Sequence, residues 1–465
     1  MGSSADAGGS AGSAGAGGSA GTSGVSYDDG PLGWDGYGSA RQRARERTGE
    51  RESVISGTAR IAGVPTVLVS FEFGFLGGSL GERTGDRLVA AYTRARQLRL
   101  PVVTLIATGG SRMQEGMRAL TQLQRVAAQS ALNRAAGLPQ VAVVRDPTTG
   151  GGWATLGAGA DVVLALPGAQ IGFAGSRVRP VDADPYAYSA EGQLAAGQID
   201  AVVPPDRLRA VLGRWLRLLS PEASTAPAAE SAPSPPSTPS PSAAPPPAAL
   251  GASGLPASGW DAVCSARDER RPRAAAYLDA YFDWREEING DRCGGTDPGL
   301  RCGFGLRDGR TIAFAAQCGT AVRPAGFRTA ARLVRMADRL GIPVLTLIDT
   351  PGAANDPAAE RAGAGAAIAD VFAALASVRT PVTSLLIGEG GSGGALALAA
   401  PGGLWATPDS YFSVIAPEAA AAILKRDADA VRDTAGQLRV RPQDLLDLGI
   451  IRGIVPPPGG RRATG

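Results

Sequence analysis

The chain carries the same short phrase twice. Residues 101–108 read PVVTLIAT and residues 343–350 read PVLTLIDT, identical at six of eight positions. Each run opens into a glycine-containing turn, GGSRMQEG at 109–116 and PGAANDP at 351–357. Both halves then repeat the move. LPQVAVV (138–144) enters RDPTTGGGWA, and TPVTSLLI (380–387) enters GEGGSGGALA. Short β-branched runs that end in Gly turns and continue into Ala-rich stretches predict the buried strands of an α/β layer fold. A chain built on such a duplication can carry two related sites.

Composition narrows what those sites can do. The 465 residues suffice for two or three domains with full cores. There is no histidine, and Lys425 is the sole lysine. A Ser-His-Asp triad, a Cys-His pair and a His-ligated metal are therefore excluded. Lys425 sits in ILKRDAD, outside any Gly-rich phosphate loop, which excludes a P-loop nucleotide site. It also lacks the flanking residues of a biotin attachment site, so any biotin must arrive on another protein. The net charge of +3 and the scattered arginines leave no nucleic-acid footprint. Cys264, Cys293, Cys302 and Cys318 show neither CxxC spacing nor a disulfide framework and read as free thiols. No apolar run approaches the roughly 18 residues of a membrane span. The N-terminus lacks a charged-then-apolar signal pattern, so a cytoplasmic protein is expected.

Residues 1–27, nearly all Gly, Ala and Ser, read as a tail with nothing to bury. A first folded unit is expected over 28–219, a Pro/Ala/Ser linker over 220–259, and a second unit over 260–465. So long a linker constrains docking weakly, and each half is expected to fold mainly by itself. A helix over 111–135 places Met113, Met117, Leu120, Leu123 and Val126 on one stripe, which reads as core packing.

The glycine turns are the candidate sites. A Gly pair between a buried strand and a helix leaves backbone N–H groups free, admits close approach, and adds the positive end of the helix dipole. Gly109–Gly110 and Gly393–Gly394 are thus candidate oxyanion holes for an enolate or a ureido oxygen. The same glycines also serve as plain turns, and sequence does not separate the two roles. Glu115, Asp146, Asp349, Glu389 and Glu418 lie nearby as general-base candidates, with local capping the favoured reading.

The longer motifs resemble a known family. FEFGFLGGSLGERTGDRLVAA (71–91), TGGSRMQEG (108–116), DPTTGGGWA (146–154), IGFAGSRV (171–178) and AAGQIDAVV (195–203) resemble the β-subunit of bacterial acetyl-CoA carboxylase carboxyltransferase. INGDR (288–292), RPAGFRTAARLVRMADRLGIPVLTLIDTPGA (323–353), IGEGGSGGALALA (387–399) and YFSVIAPEAAAAIL (411–424) resemble its α-subunit. The chain looks like a β–α fusion of actinobacterial type.

The resemblance implies two crotonase-like domains in tandem and transfer of a carboxyl group from carboxybiotin, on a separate carrier protein, to an acyl-CoA thioester. It implies Gly109 and Gly110 at the enolate and Gly393 and Gly394 at the biotin carbonyl. Gly77, Gly78, Arg112, Gly150 and Gly151 become substrate contacts of the first half, and Gly390, Gly391 and Ala395 of the second. No side-chain base is required, because biotin takes the proton after losing CO₂. The implied partners are a biotinylated carrier and the biotin carboxylase subunit of an ATP-dependent complex. A homodimer or higher assembly is implied because the family's site forms between unlike domains of two protomers. The cysteine pairs of the family's zinc ribbon are absent, so no zinc is expected.

Several family positions differ. Asn289 replaces a histidine, DTPGAANDP lacks its aromatic, Lys425 and Arg426 replace a tryptophan and a lysine, and Arg452 stands for an aspartate. The leading expectation is malonyl-CoA made from acetyl-CoA, for fatty acid biosynthesis. Propionyl-CoA or a specialised acyl-CoA is the nearest rival. Biotin-independent hydration or thioester hydrolysis would need a facing carboxylate pair. A non-catalytic partner of a conventional carboxyltransferase is the last alternative.

Overall fold

The computed structural model describes residues 30–220 and 241–458. The tail expected over 1–27 and the stretch 221–240 of the linker lie outside the described residues. The first sheet comprises β1 (Val54–Ile61), β2 (Val64–Phe71), β3 (Val102–Thr108), β4 (Gln140–Thr149), β5 (Val162–Ala165), β6 (Ile171–Gly172) and β7 (Ala201–Val202). Its order is β1-β2-β3-β4-β5-β7, with β6 beside β4. Only the β1–β2 hairpin is antiparallel; the other pairs are parallel, as crossover helices require. The second sheet comprises β8 (Trp284–Ile288), β9 (Leu300–Arg307), β10 (Arg310–Gln317), β11 (Val344–Thr350), β12 (Val382–Gly391), β13 (Leu404–Ala406) and β14 (Tyr411–Ser413). It runs β13-β12-β11-β10-β9-β8, with β14 beside β12.

The duplication is literal. Helices Glu82–Leu98 and Pro324–Leu340 both have 17 residues, β3 and β11 both have seven, and β4 and β12 both have ten. Both central ladders slip at the same place, between Ile106 and Thr108 and between Ile348 and Thr350. Beyond the slip the chain pairs again at Thr108–Thr148 and Thr350–Gly390. That register makes Gly110 the counterpart of Gly352, and Gly150 of Ser392.

The halves do not stand apart, contrary to what the linker suggested. Helix Pro205–Leu219 ends the first half and buries Leu212, Trp215 and Leu216 in a core shared with Phe304, Phe327 and Val334 of the second. Trp215 meets Phe304 edge-on with ring centres 6.4 Å apart. Asp200 is buried at the seam, where it takes Arg332 at 3.1 Å and Arg292 at 2.5 Å. Burial alone would raise its carboxyl, but the two guanidiniums outweigh that and hold it below the usual carboxylate range. Arg339 reaches Asp161 across the seam at 2.7 Å. Periodicity shows that a helix face is apolar; it does not show which half covers it.

Residues 241–258, expected within the linker, lie on the second half. Ala244 and Ala249 are buried there. The Thr383 hydroxyl donates to the Ala244 carbonyl at 2.7 Å, and Ala249 N–H donates to the Pro456 carbonyl at 3.0 Å. The helix expected over 111–135 is broken into Met113–Glu115, Gly116–Leu120 and Gln122–Ala135. Val126 is buried as expected, but Met113 and Met117 are 73% and 67% exposed and Leu120 is exposed too. Gly116, in the left-handed region at φ 51°, turns the first segments away from the core. Among the described residues no helix is long and apolar enough to cross a membrane.

Candidate active site

Each half gathers its glycine turns at the ends of its two central strands. In the first half the turn after β3 is stitched to the Leu76–Gly78 turn: Leu80 N–H donates to Gly110 O, and Arg112 N–H to Leu80 O, both at 2.9 Å. Gly78, at φ 62°, comes so close that a Cβ there would lie 2.0 Å from the Ala107 carbonyl. A Cβ on Gly110 would stand 3.7 Å from Gly150 Cα, which brings the two turns side by side. Gly150 opens the helical turn Gly150–Gly152 after β4.

The hydrogen bonds revise the donor assignment. Gly109 N–H donates to the Gly77 carbonyl at 2.9 Å, and Gly110 N–H to Thr108 Oγ1 at 3.0 Å. Both groups expected to hold an enolate are therefore engaged. Gly150 N–H is engaged too, by the Phe173 carbonyl at 3.1 Å. The groups that open the turn without an acceptor among the described residues are the N–H groups of Gly151 and Gly152. Gly109 and Gly110 shape the floor beneath them. Gly152 was missed at the sequence level, although the repeat itself signals it: GGG after β4 is the counterpart of SGG after β12.

The second half repeats the architecture. Gly352 N–H donates to Thr350 Oγ1 at 3.1 Å, and Val322 N–H donates to Gly352 O at 3.1 Å. Gly391 and Gly394 are packed against this turn; Cβ atoms there would lie 1.9 Å from Pro351 O and 2.3 Å from Ala353 N. Gly390 faces the Phe412 ring, and Ala395 is wholly buried, so both act by packing. Gly393 is open, with nothing within 4 Å of a Cβ built on it. Helix Ser392–Leu396 begins here, and the N–H groups of Gly393 and Gly394 have no acceptor among the described residues.

Arg112, expected as a substrate contact, is 1% exposed and faces inward. It pairs with Glu52 and, at 3.1 Å, with Glu115, and it donates to the Ser79 carbonyl at 2.7 Å. Burial pushes the Tyr37 hydroxyl up to about 12, and it stays a donor to Glu115. Burial also works against charge on Glu52, but Arg112 holds its carboxyl below the usual range. Arg112 thus braces the turn from beneath. The other acids are likewise engaged. Asp146 accepts from Gln170 N–H at 2.9 Å, and buried Asp349 is held by Arg271 and Arg273. Glu389 takes Tyr411 OH at 2.5 Å and Arg267 at 3.1 Å, and Glu418 takes Arg267 at 2.6 Å. No facing carboxylate pair is free among these residues. What the site offers is two sets of backbone donors over glycine floors, suited to charge that develops on oxygen.

Asn289, which replaces a family histidine, lies at the seam between the halves. Its amide donates to the Leu194 and Ile199 carbonyls at 2.8 and 3.0 Å. That departure therefore falls where the halves dock.

Comparison with known proteins agrees with this architecture. Residues 35–203 match the carboxyl transferase domain, and residues 256–464 match the acetyl co-enzyme A carboxylase carboxyltransferase-like family. The acetyl-coenzyme A carboxylase carboxyl transferase subunits beta/alpha of Salinispora arenicola are 41% identical over 89% of this chain and 75% of their own length. The probable biotin-dependent acyl-coenzyme A carboxylase beta3 subunit of Mycobacterium tuberculosis is 35% identical over 93% of this chain and 86% of its own. Among solved structures, transcarboxylase 12S shares the fold with a TM-score of 0.70 at 21% identity, over 87% of this chain and 79% of that one. Fold and site define a biotin-dependent acyl-CoA carboxyltransferase. The chain belongs to the family of fused beta/alpha carboxyl transferase subunits of acetyl-CoA carboxylase.

Proposed function

We propose that this chain carboxylates acetyl-CoA to malonyl-CoA, using carboxybiotin presented by a separate carrier protein in a complex with a biotin carboxylase subunit. The observation that carries the reading is the pair of equivalent turns, each with N–H groups unengaged among the described residues, while Glu115, Asp146, Asp349, Glu389 and Glu418 are all occupied. Two substrates that each develop charge on an oxygen need two such turns and no side-chain base. The N–H groups of Gly151 and Gly152 hold the thioester oxygen as the α-proton leaves. Those of Gly393 and Gly394 hold the ureido oxygen of biotin, and the open space at Gly393 admits it. Carboxybiotin, when bound, supplies the CO₂ and its ureido nitrogen accepts the α-proton.

A second copy of the chain completes the site. Each half holds apolar side chains in water: Met113 and Met117 in the first, Ile423 and Leu424 in the second. Surfaces of this kind mark association sites. The reading has them meet across a homodimer, so that each acyl turn faces a biotin turn of the other protomer.

The experiment is the reverse reaction: purified chain, malonyl-CoA and free biotin, with acetyl-CoA release followed. Biotin-dependent release is expected. Release without biotin dependence would reject the carboxyltransfer reading.

A further inference from the structure

We infer that Phe173 sets the length of acyl group the first-half turn accepts, confining it to short acyl-CoA thioesters. This rests on the acyl site lying in the first half. The floor there is nearly bare: Cβ atoms on Gly109 and Gly110 would reach only Gly77, Gly150 and Thr149 backbone atoms, at 3.5 to 3.8 Å. Phe173 is a large exposed residue whose backbone borders that floor. Its carbonyl takes the Gly150 N–H at 3.1 Å, one residue from the first free donor. A thioester oxygen held at Gly151 brings its acyl chain beside this ring.

The ring is held out by a built segment. Arg179 Nε donates to the Ala174 carbonyl at 3.1 Å, and its guanidinium stacks 4.0 Å over Tyr188. Val178 N–H closes on Gly175 O at 3.0 Å. Ile171 and Gly172, just before, are buried, whereas Phe173 is 75% exposed. The other half supplies the control. Register places Thr149 against Gly172 and Gly391 against Ser413, so Val414 is the counterpart of Phe173. Val414 is equally exposed, at 73%, and smaller. Both halves thus expose an apolar side chain at the residue that follows the short strand beside their glycine turn, and the bulkier one belongs to the half that carries the acyl turn.

The test uses the full chain in the reverse assay with malonyl-, methylmalonyl- and ethylmalonyl-CoA and free biotin. Wild type is expected to favour malonyl-CoA over ethylmalonyl-CoA in kcat/KM. Phe173→Ala should raise the ethylmalonyl-to-malonyl ratio about ten-fold or more, the scale on which apolar pockets discriminate a few methylenes. Val414→Ala should leave that ratio within about two-fold. Titration of butyryl-CoA and acetyl-CoA without biotin should show the same shift for Phe173→Ala, with the melting temperature unchanged. An unmoved ratio in active Phe173→Ala, a wild type that prefers ethylmalonyl-CoA, or an equal shift in Val414→Ala would each overturn the assignment. A folded wild type that turns over none of the three would instead remove the proposed function, and this inference with it.

Discussion

The turn in the first half is braced by a buried cation, and its counterpart in the second half by a buried anion. Arg112 lies between Glu52 and Glu115 under the first turn. Asp349 lies between Arg271 and Arg273 under the second. The backbones above them agree down to individual hydrogen bonds: Thr108 Oγ1 with Gly110 N–H, and Thr350 Oγ1 with Gly352 N–H. Duplication preserved the backbone device, and each half acquired its own charge to stiffen it. The divergence is visible in the repeated phrase, where Ala107 stands opposite Asp349. Function thus follows the shared donors, and stability follows the unshared ions.

That contrast breaks most readily at the buried ions. Asp349→Ala leaves Arg271 charged and unpaired in the interior, which should cost about 3–5 kcal/mol of unfolding free energy in a denaturant titration. The same change at the counterpart, Ala107, is silent by definition. Arg112→Met should cost a similar amount by stranding Glu52. If Asp349→Ala cost under about 1 kcal/mol, the second turn would not depend on its anion.

Gly393 and Gly394 separate donor from scaffold. Alanine at Gly394 drives a Cβ to 2.3 Å from Ala353 N, a backbone atom that cannot swing aside, so stability and transfer should fall together. Alanine at Gly393 meets nothing within 4 Å. There the melting temperature should hold while transfer to free biotin drops about a hundred-fold, as for a blocked oxyanion donor. Full activity in Gly393→Ala would move the biotin oxygen to another group.

Much of this was legible in the residues. The repeated phrase located β3 and β11, the LPQVAVV and TPVTSLLI runs located β4 and β12, and the glycines marked where the turns lie. What escaped was set by partners distant in sequence. Gly109 loses its N–H to Gly77, and Arg112 its charge to Glu52. Each partner lies more than thirty positions from the residue it engages, and no local pattern links the two. The Met113–Leu120 stripe has helical spacing, but spacing does not reveal that the chain swings outward at Gly116. The docked stretch 241–258 is Pro- and Ala-rich and carries no period from which burial could be read. The seam is hidden for the same reason, since Asp200, Arg292 and Arg332 come from three separate segments.

The seam makes a pH prediction that sharpens whether the halves act as one unit. Asp200 has a folded-state pKa below its unfolded value. Its contribution is therefore present above the unfolded Asp value of about 3.9 and is lost as pH falls through the lower folded value. Asp200→Asn should lower stability at neutral pH by about 2–3 kcal/mol, because Arg292 and Arg332 lose their anion. It should also flatten the acid limb of the stability curve, where wild type still gains from the carboxylate. An acid limb of unchanged slope would mean that the two guanidiniums do not hold this carboxyl.

The smallest effect on folding is expected at the apolar rims, and it tests whether the halves differ there. Met117→Ser and Ile423→Ser remove methyl-bearing groups already in water, so each should leave the chain's own unfolding free energy within about 0.5 kcal/mol. If a second copy covers both rims, each variant should still weaken self-association, measured by sedimentation across a dilution series. Donor and acceptor surfaces of one closed two-fold contact must respond alike, because every copy contributes both. A loss confined to Met117→Ser would mean that the first half's rim pairs with itself. The acyl and biotin turns would then have to meet within one chain, across the seam that Asp200 holds.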